Sequence, residues 1–298
     1  MKTKGIRENE SFFLGGMIIS MFFWGISWAS GKIMSVYGSA GDVSFFRFAL
    51  TFISLLVLML LLREKLTIKR NGLVVLLIAS VFISLYMWLF FKGLSLGKAG
   101  AGGVLVTTLN PIIAYAIMLF SNRRLPDRKE AIGLSLGLLA AIVLLKLWTN
   151  WESIFSSGNV YFLFATFSWA ILSLFTARSS KYGSPVAFSL WMYGICSVFM
   201  LLLSSVDNIQ SVLYRADIYF WGNLVFTAVF TTALATTFYF VGTTKIGAGK
   251  ASSFIFLVPF SAALGGWVFL NEIPQWHTVI GGLSGVAAVY VLNRKKKS

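Results

Sequence analysis

Several spacings in this chain bring small and polar groups to one side of a helix. Gly100, Gly103, Thr107, Asn110 and Ala114 recur at intervals of three and four, as do Gly249, Ser252, Phe256, Pro259, Ala263 and Gly266. Ser20, Trp24, Ser27 and Gly31 form a third stripe, and Thr232, Thr236 and Tyr239 a fourth. Residues so spaced share a helix face. Their chemistry is recognition: hydroxyls and an amide that hydrogen-bond across helices, among small residues that allow close approach. Each stripe reads either as a packing face or as the wall of an internal cavity. An amide facing lipid is expensive, so Asn110 points to a cavity. Trp24, Tyr86, Trp169 and Tyr239 offer apolar rings with polar tips, and each equally fits core or lipid-facing packing.

Bond-making chemistry is poorly supplied. The chain has one His and one Cys, so neither a metal cluster nor a nucleophile–base pair is visible, and no cofactor or metal is expected. Cys196 reads as a small buried hydrophobe. No Asp or Glu lies deep in an apolar run. Glu272 ends one and Asp42 precedes another, so a buried carboxylate relay for proton coupling lacks a member. Arg47 lies a few residues inside an apolar run and is expected to snorkel, as are Lys92 and Lys146. His277 is expected at an interface.

The elements that position these residues are set by composition. Of 298 residues, 57% are hydrophobic and 12% charged, against about 25% charged in a soluble domain. Mean hydropathy is +0.81. A spanning helix takes about 20 mostly apolar residues. The chain divides into roughly ten such runs: Phe12–Tyr37, Val43–Leu62, Gly72–Leu94, Ala99–Ser121, Ala131–Leu147, Val160–Ala177, Pro185–Val206, Ile218–Gly242, Ala248–Leu270 and Thr278–Asn293. The fold class predicted is an all-α membrane protein. Trp148–Asn159 and Asp207–Asp217 are expected to be the longest loops. The first run is too long for a signal peptide and is expected to remain.

The second half repeats the first. Pro111, Pro126, Gly133 and Gly137 recur as Pro259, Pro274, Gly281 and Gly285 at one constant offset, and Trp24 answers Trp169. Residues 1–150 and 151–298 then each hold five spans. An odd number inverts the second copy, an arrangement typical of transporters with a site near mid-membrane. The glycine pairs in the fifth and tenth spans read as helix-packing sites. Nineteen of the 25 Lys and Arg fall on one side of this topology. Lys32, Arg47, Lys92, Lys98, Lys146 and Arg215 are on the other. That asymmetry explains the net charge of +15 without nucleic acid and places both termini in the cytoplasm. Trp148, Trp151, Trp221 and Trp276 fit an interfacial belt.

Some segments recur in order in both halves. Gly97-Lys98-Ala99-Gly100-Ala101 leads to Asn110-Pro111, and Ile246-Gly247-Ala248-Gly249-Lys250-Ala251 leads to Pro259. Leu270-Asn271-Glu272-Ile273-Pro274, Ile280-Gly281-Gly282, Phe46-Arg47-Phe48 and Phe23-Trp24-Gly25 complete the set. The chain resembles the EamA-type permeases of the drug/metabolite transporter superfamily along essentially its whole length. That family often carries Glu after the Pro-containing span in both halves; here Glu272 matches, while the first-half slot holds Arg124.

The resemblance implies two inverted five-helix repeats, ten transmembrane helices and a central cavity between spans 1, 3, 4, 6, 8 and 9. The substrate-binding residues expected there are Trp24, Ser27, Tyr86, Thr107, Asn110, Trp169, Thr236, Tyr239, Ser252 and Phe256. Pro111 and Pro259 are expected to be static kinks or hinges. The expected function is a secondary carrier exporting small organic metabolites, amino acids or amphipathic compounds across the cytoplasmic membrane. Its partners are then a small-molecule substrate and the lipid bilayer; the sequence assigns no oligomeric state. A carrier of phosphorylated solutes or nucleotide-sugars is the alternative, with Lys245 and Lys250 as its cations. A membrane-embedded enzyme is disfavoured.

Overall fold

The computed structural model describes residues 2–63, 65–149, 151–155, 158–176, 179–239 and 254–293. Among them there is no strand. The first five helices are α1 Lys2–Met34, α2 Ala40–Leu62, α3 Leu73–Leu96, α4 Ala99–Ser121 and α5 Arg128–Leu144. Then come α6 Asn159–Thr176, α7 Pro185–Leu203 and the short α8 Val206–Arg215. The next helix, α9, begins at Ile218–Val225 and continues as a π-helix over Phe226–Ala235. The last two are α10 Leu257–Leu270 and α11 Trp276–Asn293. Seven helices among the described residues are long and apolar enough to cross a membrane: α1–α4, α6, α7 and α9. Shorter apolar helices cover Leu257–Leu270 and Trp276–Leu292. By this measure α5 adds no long span: it has 17 residues and opens on Arg128, Lys129 and Glu130.

Local chemistry starts these helices where the polar residues fall. Ser39 and Asp42 form a capping box at α2, and Asp127 and Glu130 another at α5. Each satisfies backbone donors that the first helical turn leaves open. Ser184 caps α7 ahead of Pro185, a position where the missing N–H costs nothing. The region Asp207–Asp217, expected as a loop, is largely helical. Ser205 caps α8, and Val206, Ile209 and Val212 supply a one-sided apolar pattern of which Val212 is buried. Asp217 then caps α9, accepting from the backbone of Tyr219 and Phe220.

The helices pack in pairs. α1 lies on α9 and α10, while α6 lies on α3 and α4. α2 packs on α7, α4 on α10, and α5 on α11. Backbones approach closely at glycines. A Cβ on Gly25 of α1 would sit 1.9 Å from Ser261 Oγ and 2.6 Å from the Ala262 amide of α10. A Cβ on Gly133 would meet Leu292, on Gly281 Leu144, on Gly137 Ile112 and on Gly285 Thr108. The repeated glycine pairs therefore serve packing, as expected, between α5 and α11 and against α4.

The bundle has two distinct ends. At one, Lys32 at the close of α1 donates to the carbonyls of Leu94 and Gly97, the latter at 2.9 Å. There too Tyr37 donates to Asp217 at 2.6 Å and Arg215 to the Val36 carbonyl at 3.1 Å. The Tyr37 hydrogen bond lowers the Asp217 pKa below the usual carboxylate range. At the opposite end the Lys69 amide donates to the Tyr182 carbonyl at 2.8 Å. The Trp191 indole donates to the Leu66 carbonyl at 2.7 Å. Trp148, Trp151, Trp221 and Trp276 are all exposed, near helix ends.

The contrast between two glycines of α1 tests this packing. Gly15 has open space where its Cβ would be, so Gly15→Ala should leave stability unchanged or raise it by up to about 1 kcal/mol. Gly25→Ala must push α10 away and should cost about 1–3 kcal/mol. Thermal unfolding of the two detergent-solubilised variants distinguishes them, and equal behaviour would contradict the α1–α10 contact.

Candidate functional site

Four of the aromatic residues singled out in the sequence meet in two pairs, and each pair joins one half of the chain to the other. Trp24 of α1 packs against Tyr239 of α9, with ring centroids 5.2 Å apart. Tyr86 of α3 packs against Trp169 of α6 at 4.6 Å. The two pairs join corresponding helices, since α1 answers α6 and α3 answers α9, although Tyr239 stands one turn beyond the position that answers Tyr86. All four are partly buried.

Trp24 also holds a backbone group. Its Nε1 donates to the Thr231 carbonyl at 3.2 Å, inside the π-helical stretch. A π-segment displaces carbonyls from the regular ladder, and such segments concentrate at functional sites. Two hydroxyls bridge its wider turn: Thr232 donates to the Thr227 carbonyl at 2.8 Å and Thr236 to that of Thr231 at 3.3 Å. This segment is not among the features expected from the sequence. Threonines five apart, Thr227 with Thr232 and Thr231 with Thr236, were its available signal.

The other expected residues are dispersed in role. Ser27 donates to the Trp24 carbonyl at 2.7 Å and Thr107 to that of Gly103 at 2.6 Å, so both hydroxyls are satisfied within their own helices. Asn110 is half-buried. Gly103 is a packing residue: its Cβ would lie 2.6 Å from that of Ala262 and 3.0 Å from the Trp28 ring. Pro111 lies inside α4. Pro259 sits in the first turn of α10, directly after a 3-10 turn at Phe254–Phe256. Proline is tolerated there because the first turn has unbonded donors. Phe256 ends that 3-10 turn, whereas Ser252, Gly249, Lys245 and Lys250 lie outside the described residues.

Arg47 departs from expectation. It does not snorkel but is 7% exposed. Val43, Arg47 and Thr51, one helical turn apart, all lie on the buried stripe of α2, which packs on α3, α7 and α9.

Glu272 reaches across the halves. Asn271, at φ 55°, closes α10 in the left-handed conformation, and the Glu272 amide donates back to the Gly266 carbonyl at 3.0 Å. This αL closure aims the Glu272 carboxylate at α4. It accepts from the amides of Ala99 at 3.0 Å and Gly100 at 2.8 Å. The N-cap of α4 is Lys98, which supplies no capping side chain. A carboxylate on exposed helix amides, at the positive end of the helix dipole, contributes about 1 kcal/mol and up to about 2. Beside it lies a cavity of about 310 Å³ lined in part by Lys98, Ala101, Lys146, Gln275 and His277. None of the described residues expected to bind substrate lines it.

The first-half counterpart behaves differently. Arg123 repeats the left-handed turn at φ 50°, but Arg124 stays local, pairing with both Glu130 oxygens at 3.0 and 2.7 Å. Hydrogen bonds from Arg124, Tyr115 and the Asp127 amide pull the Glu130 pKa down to about 2.

Comparison with known proteins agrees with these observations. The model of the EamA-like transporter family matches residues 12–146 and 156–294. The chain is 26% identical over 278 residues to the "Uncharacterized transporter YoaV" of Bacillus subtilis (strain 168), covering 90% of this chain and 92% of that one. It is 24% identical over 289 residues to the "Uncharacterized transporter YyaM" of the same organism, covering 93% and 94%. A crystal structure described only as that of a protein superposes with a TM-score of 0.60 at 16% identity, covering 96% of this chain and 100% of that chain. That last likeness shows the fold alone.

Removing the Glu272 carboxylate should loosen this end of the bundle. With Ala101→Cys in a Cys196→Ala background, Glu272→Ala should raise the rate of thiol labelling roughly 5–30-fold, the equivalent of about 1–2 kcal/mol. An unchanged rate would show that the cap does not hold this end closed.

Proposed function

The chain belongs to the EamA-like transporter family, which makes it a multi-pass membrane transporter, and we propose that it is a secondary carrier exporting small organic solutes across the cell membrane by alternating access. The proposed architecture is ten transmembrane helices in two inverted five-helix repeats, residues 1–150 and 151–298. The observation that carries the reading is the interchange symmetry of the packing. The contacts of α1 with α9 and α10 and of α6 with α3 and α4 exchange when the halves exchange. The corresponding helix pairs α1–α9 and α6–α3 each carry a Trp–Tyr contact, Trp24–Tyr239 and Trp169–Tyr86. Two equivalent halves meeting on a shared axis can open one end while closing the other.

On this reading the aromatic pairs flank the substrate path, and Thr107, Asn110, Ser27 and Thr236 line it with Ser252 and Phe256. Pro111 and Pro259 bend as the halves rock. Glu272 latches one end through α4. With the termini cytoplasmic, the latched end is external. No acid falls in the middle of an apolar run: Asp42 is buried, but in the first turn of α2, where its Oδ2 holds Ser39. Transport therefore runs down the solute gradient without a coupling proton.

Orientation is tested with single cysteines in the Cys196→Ala background. Thr149→Cys should react with an impermeant reagent added outside intact cells, and Arg123→Cys should react only after permeabilisation. The reverse pattern would invert the assigned topology.

Transport is tested in proteoliposomes with a panel of organic solutes. Uptake should proceed without a pH or sodium gradient. At matched amounts of folded protein, Asn110→Leu should impair polar solutes most and Trp169→Ala bulky ones. Strict proton dependence abolished by Glu272→Gln would refute the uncoupled mechanism, and unaltered kinetics in both variants would remove those residues from the path.

A further inference from the structure

Among the described residues no carboxylate forms an ion pair with the Arg47 guanidinium. Its Nε and Nη1 are buried without a hydrogen-bond partner. Among the described residues the ion pair present is Arg124 with Glu130. The nearest acid along the chain, Asp42, holds Ser39 through Oδ2; its Oδ1 is buried without a hydrogen-bond partner and forms no ion pair with Arg47. None of the ten Asp and Glu in the sequence falls in the middle of an apolar run. Arginine does not shed its proton in a protein. The charge is met instead by the face of Phe90, whose ring centroid is 5.6 Å from Cζ. A ring quadrupole is a weak substitute for the water a buried ion gives up.

Aromatic side chains surround this position. Tyr86 lies 6.0 Å from the Phe90 ring and carries Trp169 on its own ring at 4.6 Å, and Tyr193 packs on Phe48, the neighbour of Arg47 in α2, at 5.7 Å. Counted from the helix ends at Ala40, Leu96, Asn159 and Leu203, these residues lie roughly 10–15 Å into the bundle at 1.5 Å per residue. That is near the middle of a hydrocarbon layer about 30 Å thick. Arg47, Tyr86 and Phe90 come from one half of the chain, Trp169 and Tyr193 from the other.

We propose that Arg47 is the anion-recognition residue of the transport site, holding the carboxylate of a monoanionic organic substrate whose apolar or aromatic body lies along Tyr86, Phe90, Trp169 and Tyr193. This rests on the carrier reading above. A planar guanidinium with free donors matches a carboxylate in two parallel hydrogen bonds. One fixed charge answers one negative charge. A phosphate dianion would need a second cation, and Lys32 is already bound to the carbonyls of Leu94 and Gly97.

The test uses full-length protein purified in detergent, with benzoate, phenylacetate and octanoate as probes and their primary amides as neutral controls. A ligand that binds the folded state raises the unfolding temperature. At least one carboxylate should do so while its amide does not, and Arg47→Gln should weaken its apparent affinity at least tenfold. Without ligand, Arg47→Gln should be no less stable than wild type, because it removes an unpaired buried charge; a structural anchor would give the opposite. Failure of Arg47→Gln to fold would be the anchor's result and would overturn the proposal. Equal responses to carboxylates and amides, or an undiminished carboxylate response in Arg47→Gln, would overturn the proposal. Stabilisation by phosphatidylglycerol alone, lost in Arg47→Gln, would assign the charge to a lipid headgroup instead. Stronger stabilisation by phenyl phosphate than by phenylacetate would replace the monocarboxylate. Transport of a neutral solute equally by wild type and Arg47→Gln, with no carboxylate effect, would leave the carrier reading standing and remove this assignment alone.

Discussion

Backbone groups in hydrocarbon have no water to bond, and four irregular points of this bundle are served by a side chain from elsewhere in the fold. Glu272 takes the open amides of α4. Lys32 takes the last carbonyls of α3. Trp24 takes a carbonyl within the π-segment of α9, and Trp191 takes one at Leu66, between α2 and α3. The cross-links are thus tied to helix termini and bulges, where the regular ladder ends. Between these points small residues set the spacing: Gly25, Gly103 and Gly285 leave no room for a Cβ. Specific polar ties at the ends and close approach along the faces together hold helices that lipid itself would not drive together.

Much of this was legible in the sequence, and the reason is that lipid narrows the choices. Long apolar runs had to become helices, and the repeated Gly133, Gly137, Gly281 and Gly285 had to serve close approach. Trp24 and Trp169 were paired by their place in the repeat, and each has against its ring a tyrosine from the corresponding helix of the other half. What failed to show was anything decided by facing. Hydropathy sums over a window, so it registers Arg47 as near a span end but not that it shares the buried stripe with Val43 and Thr51. The short α8 was hidden because its polar residues outweigh Val206, Ile209 and Val212 in any average. The π-segment depends on a tertiary partner, the Trp24 indole, that no local pattern contains. Pro259 reads as mid-span by hydropathy, yet the helix restarts just before it.

The two halves have diverged in their charges more than in their geometry. Arg123 and Asn271 make the same left-handed turn, so the backbone of both halves delivers the next residue in the same way. In one half that residue is Arg124, held by Glu130; in the other it is Glu272, delivered to the opposite repeat. An identical turn thus yields a self-contained loop at one end and a tie between halves at the other. The asymmetry gives the two ends unequal resistance to separation even though their folds match.

The π-segment of α9 stores a surplus of chain length. Helix geometry advances about 100° per residue, so passing one residue out of the bulge turns everything beyond it by that amount. Asp217 fixes the start of α9 through its cap and through Tyr37, so the offset falls at the far end, where Tyr239 meets Trp24. The bulge thus sets which face of α9 looks at α1: a regular α-helix begun at the same cap would turn that tyrosine away.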